Sequence, residues 1–218
     1  MTAAATPRED AAVGTVGTVA AAEDLGPRAA RTREGILAAS RELFMTAGYA
    51  GTRVNMITAA AGISRAAFYT YFRDKREVFD ALGVASYRAA SLVIAEFDDL
   101  PERPTRGDLE GWTARYFTMM DEYGAFNFSS SMDAPDDEPF RASSTRLQMR
   151  TAWSFGTRLQ RRQNVATDSP DALGLATLAM LDRSWFVTRE AQLPVDEQDM
   201  IRTVAHCLAA ILDNGENR

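Results

Sequence analysis

From residue 28 onward the apolar positions recur every three or four residues, and no stretch alternates convincingly with the two-residue period of a strand. Ile36, Leu37, Ser40, Leu43, Phe44 and Ala47 fall on one stripe, which predicts an amphipathic helix ending at Gly48. Thr52 is placed to N-cap a short helix over 53–60, with Val54, Ile57 and Ala61 turned inward. Ala61-Gly62-Ile63 breaks the pattern, because Gly62 tolerates the positive φ of a tight turn. Ser64 then caps a third helix over 65–71. A fourth begins near Lys75 and runs to about Asp98, with Val78, Phe79, Leu82 and Ala85 on one side. Beyond it, proline-bearing breaks at 101–104, 133–139, 164–170 and 193–194 separate five further helices, expected at 106–124, 126–132, 138–163, 170–190 and 195–213. The expected fold class is all-α: a three-helix helix-turn-helix domain followed by a larger helical domain.

Two short helices joined by a glycine-bearing turn, behind a longer helix, describe a helix-turn-helix. The residues that carry it are Arg33-x-x-Ile36-Leu37-x-Ala39, Leu43-Phe44-x-x-x-Gly48-Tyr49-x-x-Thr52, Ile57-x-x-x-Ala61-Gly62-Ile63-Ser64 and Phe68-Tyr69-x-Tyr71-Phe72-x-x-Lys75. This pattern resembles the TetR family of one-component transcriptional regulators. It covers about fifty residues, nearly the whole of that family's DNA-binding domain, and the remaining two-thirds of the chain carries no signature. Asn55 and Met56 stand where the family often has Arg and Asp, so the operator sequence does not carry over with the resemblance.

The chemistry of such a motif follows from groove geometry. The second short helix enters the major groove, where base edges present distinguishable donors, acceptors and methyls. Arg65 can fork onto guanine, a contact worth about 1–3 kcal/mol of discrimination. Ala66 and Ala67 keep the helix close to the bases and within reach of thymine methyls. Tyr69 and Tyr71 can bring hydroxyls to phosphates, a role the resemblance also implies. Thr52, Ser64 and Lys75 stand at helix starts, where hydroxyl, ammonium and helix dipole favour a phosphate. Arg53 and Asn55 complete the expected DNA-binding set. Phe68 and Phe72 are assigned to a small core with Ile36, Phe44 and Ile57.

Charge sharpens this division. The net charge of −6 conceals a block, residues 28–77, with nine basic and four acidic side chains inside an otherwise acidic chain. Residues 1–27, poor in large side chains, are expected to form a disordered tail, which leaves 28–75 as the DNA-binding domain and 76–218 as a ligand-binding and dimerisation domain. Ala11–Ala22 has some of the look of a signal-peptide core but lacks a basic leader, so a cytoplasmic location is expected. No run approaches the roughly 20 consecutive apolar residues of a membrane span, so no membrane partner is expected. A single cysteine, Cys207, beside a single histidine, His206, excludes an internal disulfide and a Cys/His zinc site. No nucleophile elbow, phosphate loop or metal-ligand run points to an enzyme or to a cofactor.

In the acidic part, the helix over 170–190 is apolar on more than one face, as a central or shared helix must be. The resemblance implies that it and the helix over 195–213 pair with their symmetry mates, making a homodimer that reads a palindromic operator in double-stranded DNA. Trp112, Tyr116, Met120, Phe126, Phe128, Met149, Trp153 and Trp185 are candidates to line a pocket for an apolar small-molecule effector, with Asn127, Gln148, Thr177 and Arg150 as polar handles. Taken singly, each aromatic fits a plain core position as well. A ligand-responsive regulator, most simply a repressor, is therefore weighed against an all-α small-molecule-binding protein or enzyme without sequence-selective DNA binding.

Overall fold

The computed structural model describes residues 26–132, 138–191 and 193–213, with side chains left aside at 125 and 128–132. Residues 1–25 of the expected tail lie outside the described residues, and Gly26 and Pro27 form the start of a helix. Every regular element among the described residues is helical, without a strand. The helices are α1 (Pro27–Gly51), α2 (Val54–Ala60), α3 (Arg65–Tyr71), α4 (Lys75–Ala95), α5 (Arg106–Met132), α6 (Glu138–Arg162), α7 (Pro170–Trp185) and α8 (Glu197–Leu212). A 3₁₀ turn, Glu96–Asp99, extends α4, and a π-helical turn, Phe186–Glu190, extends α7.

Local chemistry sets most boundaries. Gly48 interrupts α1 with a φ of 70°, which L side chains seldom adopt, so the regular helix stops where the sequence predicts. Asp74 caps α4 by accepting from the Glu77 amide at 2.9 Å, and Asp196 caps α8 by accepting from Asp199 at 3.0 Å. Thr105 and Asp108 bond each other reciprocally at the start of α5, with the Thr105 amide donating to Asp108 at 2.8 Å. The hydrogen bonds from the Thr105 hydroxyl and amide hold the Asp108 carboxyl below its usual range.

Two expectations are corrected. Residues 106–132 form one helix, not two: Gly124 continues it, because its missing side chain lets the Trp185 ring lie where a Cβ would come within 2.6 Å. Thr52 closes α1 instead of opening α2, whose N-cap is Arg53. The Thr52 amide bonds to the Gly48 carbonyl at 3.2 Å, and its hydroxyl donates to the same oxygen at 2.7 Å.

Two clusters of buried side chains divide the molecule. The head cluster gathers Ile36, Leu37, Phe44, Ile57, Phe68 and Phe72 from α1–α3 with Val78, Phe79 and Leu82 from α4, and Phe126 of α5 completes it. The body cluster joins α4–α8 around Phe97, Trp112, Phe117, Phe155 and Trp185, all fully buried. Burying each such side chain contributes about 1.5–3 kcal/mol. By length and composition Lys75–Asp99 is apolar enough to cross a membrane, with a mean hydropathy of 1.4 in its best window. Its apolar residues are instead divided between the clusters, with Val78, Phe79 and Leu82 in one and Val93, Ile94 and Phe97 in the other. α4 is thus the shared beam between head and body.

The seam of α6 and α7 is unusually close. A Cβ on Gly156 would lie 1.6 Å from the Pro170 carbonyl oxygen, and one on Gly174 would lie 1.8 Å from that of Ala152. At the far end of α6, Arg158 reaches Asp98 at 2.9 Å, and Arg162 donates to the carbonyls of Asp98 and Leu100 at 3.2 Å. These side chains, which in sequence look like a basic helix end, tie α6 to the turn that follows α4.

Candidate nucleic-acid interface

The helix-turn-helix is built from the backbone outward. Ile63 donates to the Thr58 carbonyl at 3.0 Å across a turn that Gly62, at φ 64°, makes tight. Ser64 then caps α3, its hydroxyl oxygen accepting from the Ala67 amide at 3.1 Å. Phe68, with Phe72 just beyond α3, is buried in the head cluster, which fixes the rotation of the helix about its axis. The opposite face consequently presents Arg65, Ala66, Tyr69 and Thr70 to solvent.

Two side chains on that face pair with each other. The Arg65 guanidinium donates to the Tyr69 hydroxyl at 3.2 Å and lies 5.6 Å from the centre of its ring. Tyr69 itself is 46% exposed, a large side chain held out in solvent. Arg53, Asn55 and Ser64 are exposed on the adjoining surface, whereas Ala67 and Tyr71 are half-buried. Thr70 shares this surface and is not among the residues expected from sequence. Its four-residue spacing from Ala66 is the signal that would have found it.

Two candidate phosphate contacts are occupied within the protein. Thr52 is buried, and its hydroxyl also approaches the Leu43 carbonyl at 3.1 Å, so it fastens α1 and does not face solvent. The Lys75 ammonium donates to the carbonyls of Tyr49 at 2.6 Å and Thr52 at 2.9 Å, 4.3 Å from the Tyr49 ring centre. It caps the frayed C-terminal end of α1 where the helix dipole favours a cation.

The expected effector pocket divides into three places. Trp112, Tyr116, Met120 and Trp185 are buried together in the body cluster. There Trp112 stacks on Phe155 with ring centres 5.2 Å apart and donates to the Val93 carbonyl at 2.9 Å. Phe126 lies instead in the head cluster, 4.9 Å from Phe79. Met149 and Trp153 project from α6 and are 36% and 53% exposed, so they do not belong to that core, and the Phe128 side chain lies outside the described residues. A groove of about 420 Å³ opens elsewhere, between α4 and α5, with Leu92, Met119 and Tyr123 among its walls.

Of the polar handles, Asn127 accepts from the Ser86 hydroxyl at 2.7 Å and Thr177 bonds back to the Leu173 carbonyl at 2.8 Å. Gln148 and Arg150 are exposed. The body's own polar links are Trp185 to Asp121 at 2.8 Å and Tyr116 to Asp182 at 2.6 Å. Loss of hydration raises the Asp182 carboxyl to about 6, opposed by the Tyr116 hydrogen bond.

Comparison with known proteins agrees with this geometry. The family model for bacterial regulatory proteins of the tetR family matches residues 36–82. A 73-residue stretch is 34% identical to the HTH-type transcriptional repressor BepR of Brucella suis biovar 1 (strain 1330), covering 32% of this chain and 35% of that protein. Among solved structures, the Aquifex aeolicus VF5 transcriptional regulator superposes with a TM-score of 0.62 at 21% identity, over 83% of this chain and 99% of the other. PfmR of Thermus thermophilus gives 0.63 at 20% identity, over 84% and 99%. The fatty acid degradation regulator FadR of Bacillus halodurans gives 0.63 at 13% identity, over 85% and 96%. At these identities the structures establish the fold, and the head supplies the sequence signature. With its helix-turn-helix at the N-terminal end and the helical body those regulators share, the chain carries the tetR-family signature over residues 36–82 and has the fold of these regulators.

Proposed function

We propose that the protein is a cytoplasmic repressor that binds a palindromic operator as a homodimer and is released by a largely apolar small molecule. The observation that carries this reading is the outward face of α3, where Arg65, Ala66 and Tyr69 stand exposed on a helix rotated into place by Phe68. Arg65 would read guanine, Ala66 would admit close approach, and Tyr69 with Ser64, Arg53 and Asn55 would hold the backbone. Tyr71 and Ala67 would contribute from the edge. Lys75 and Thr52 would act indirectly, by fixing the end of α1 against the motif.

Dimerisation is supported by the outer faces of α7 and α8. Ala172, Ala176 and Ala179 are exposed in a row on α7, flanked by half-buried Leu175, Met180 and Val187. On α8 the corresponding row is Thr203, His206 and Ala210. The exposed alanines of α7 at helical spacing let two helix pairs approach closely, and a two-fold axis there would set two recognition helices about 34 Å apart. An effector acts in this scheme by binding more tightly to the arrangement that does not fit DNA.

Selection of bound duplexes from a random pool tests the reading. The expected product is a two-fold symmetric consensus, with sedimentation showing two chains per duplex. Recovery of no consensus would leave an all-helical ligand-binding protein as the function.

A further inference from the structure

The groove between α4 and α5 has an apolar floor and polar ends. Leu92 and Met119 line its length, and Leu92 is 69% exposed, the most exposed large apolar side chain described. From Arg115 to Tyr123 the groove spans eight residues of α5, or about 12 Å. At the far end Arg115 is matched by Glu96 at 2.7 Å. At the near end stand Glu122, whose side chain is 54% exposed, and the ring of Tyr123.

The protein already seats a cation at that near end. Arg41 of α1 lies with its guanidinium 5.6 Å from the Tyr123 ring centre and 3.5 Å from the Glu122 carboxylate. A carboxylate beside an aromatic face is a receptor for a weakly hydrated cation. The 3.5 Å separation from Glu122 is longer than a charge-assisted hydrogen bond, so Arg41 occupies this receptor loosely. Arg41 also belongs to the head, whereas Glu122 and Tyr123 belong to the body. Whatever takes its place removes this contact between the two.

We propose that the α4–α5 groove binds an amphipathic organic cation, its apolar body along Leu92 and Met119 and its charged end against Glu122 and Tyr123, in competition with Arg41. With Arg41 displaced, the two carboxylates of the groove face only one arginine, so the groove favours a cation over an anion of the same length. The consequence for DNA rests on the proposed repressor function: freeing Arg41 loosens α1 from α5 and lowers operator affinity. Binding itself does not depend on that function.

Titration calorimetry without DNA tests the site, using octyltrimethylammonium below its micelle-forming concentration against octyl sulfate and octyl glucoside. The expected result is saturable binding of one cation per chain, at least tenfold tighter than either other amphiphile. Glu122→Gln should weaken the cation about tenfold, and Leu92→Lys should abolish its binding, with unchanged circular dichroism confirming that both variants fold. Arg41→Ala, which removes the internal competitor, should strengthen it several-fold. Equal affinities for the three amphiphiles, or indifference to Glu122→Gln, would overturn the proposal. A cation that binds as expected yet leaves operator affinity unchanged would overturn the competition with Arg41 as a release device.

Discussion

The head and the body keep their cores by different means. In the head, aromatic side chains close on one another: Phe44, Tyr49 and Phe79 stand with ring centres 4.9 to 5.7 Å apart, and Phe126 joins them from α5. In the body, α6 and α7 meet with backbone against backbone at Gly156 and Gly174, and two tryptophans are tied by hydrogen bonds to Val93 and Asp121. The body's seam is intolerant of a single added methyl. The residues proposed to read DNA lie accordingly: Arg65, Ala66 and Tyr69 are exposed and take no part in the packing of the head core.

The contrast is broken most severely at the seam. Gly174→Ala should destabilise the protein by about 3 kcal/mol or more, because the clash is with a carbonyl oxygen and no side chain can yield. A thermal melt would show it, and a change under about 1 kcal/mol would mean that the helices part easily. Phe68→Ala should cost about 3–5 kcal/mol and take DNA binding with it, since α3 loses the anchor that sets its rotation. Arg65→Ala should do the reverse. Its loss should leave the melting temperature nearly unchanged while weakening the selected operator by about 5- to 150-fold.

A smaller effect belongs to the body. The fold raises the Asp182 carboxyl to about 6, so it favours the protonated form. Its contribution to stability is fully present below the usual carboxylate value and is lost as pH climbs through about 6. Asp182→Asn keeps an acceptor for the Tyr116 hydroxyl and removes the ionisation. It should raise stability at pH 8 by about 1–2 kcal/mol and flatten the loss between about pH 4 and 6. Denaturant melts across that window would reveal either outcome.

The head was legible because its requirements are local. Gly62 must take a positive φ and Ser64 must cap, each fixed by neighbours a few residues away, and the helical period alone marks Phe68 as inward. The internal bonds of Thr52 and Lys75 were hidden for the same reason. Their positions suit phosphate, but Thr52 bonds Leu43 nine residues back and Lys75 bonds Tyr49 twenty-six residues back. In the body, helix spacing was readable and helix pairing was not. Trp153 and Trp185 look alike as aromatic positions on a helix, yet one is half in solvent and the other sits against Gly124. Only the meeting of α5 with α7, about sixty residues apart, distinguishes them.

Sequence reading by α3 is tested most directly by fluorescence anisotropy of the protein with its selected duplex and with an unrelated duplex of equal length, over a salt series. Selective binding to the first is expected, falling linearly with the logarithm of salt concentration, and Arg65→Ala should lose that selectivity. Equal affinity for both duplexes at every salt concentration, unchanged by Arg65→Ala, would contradict it.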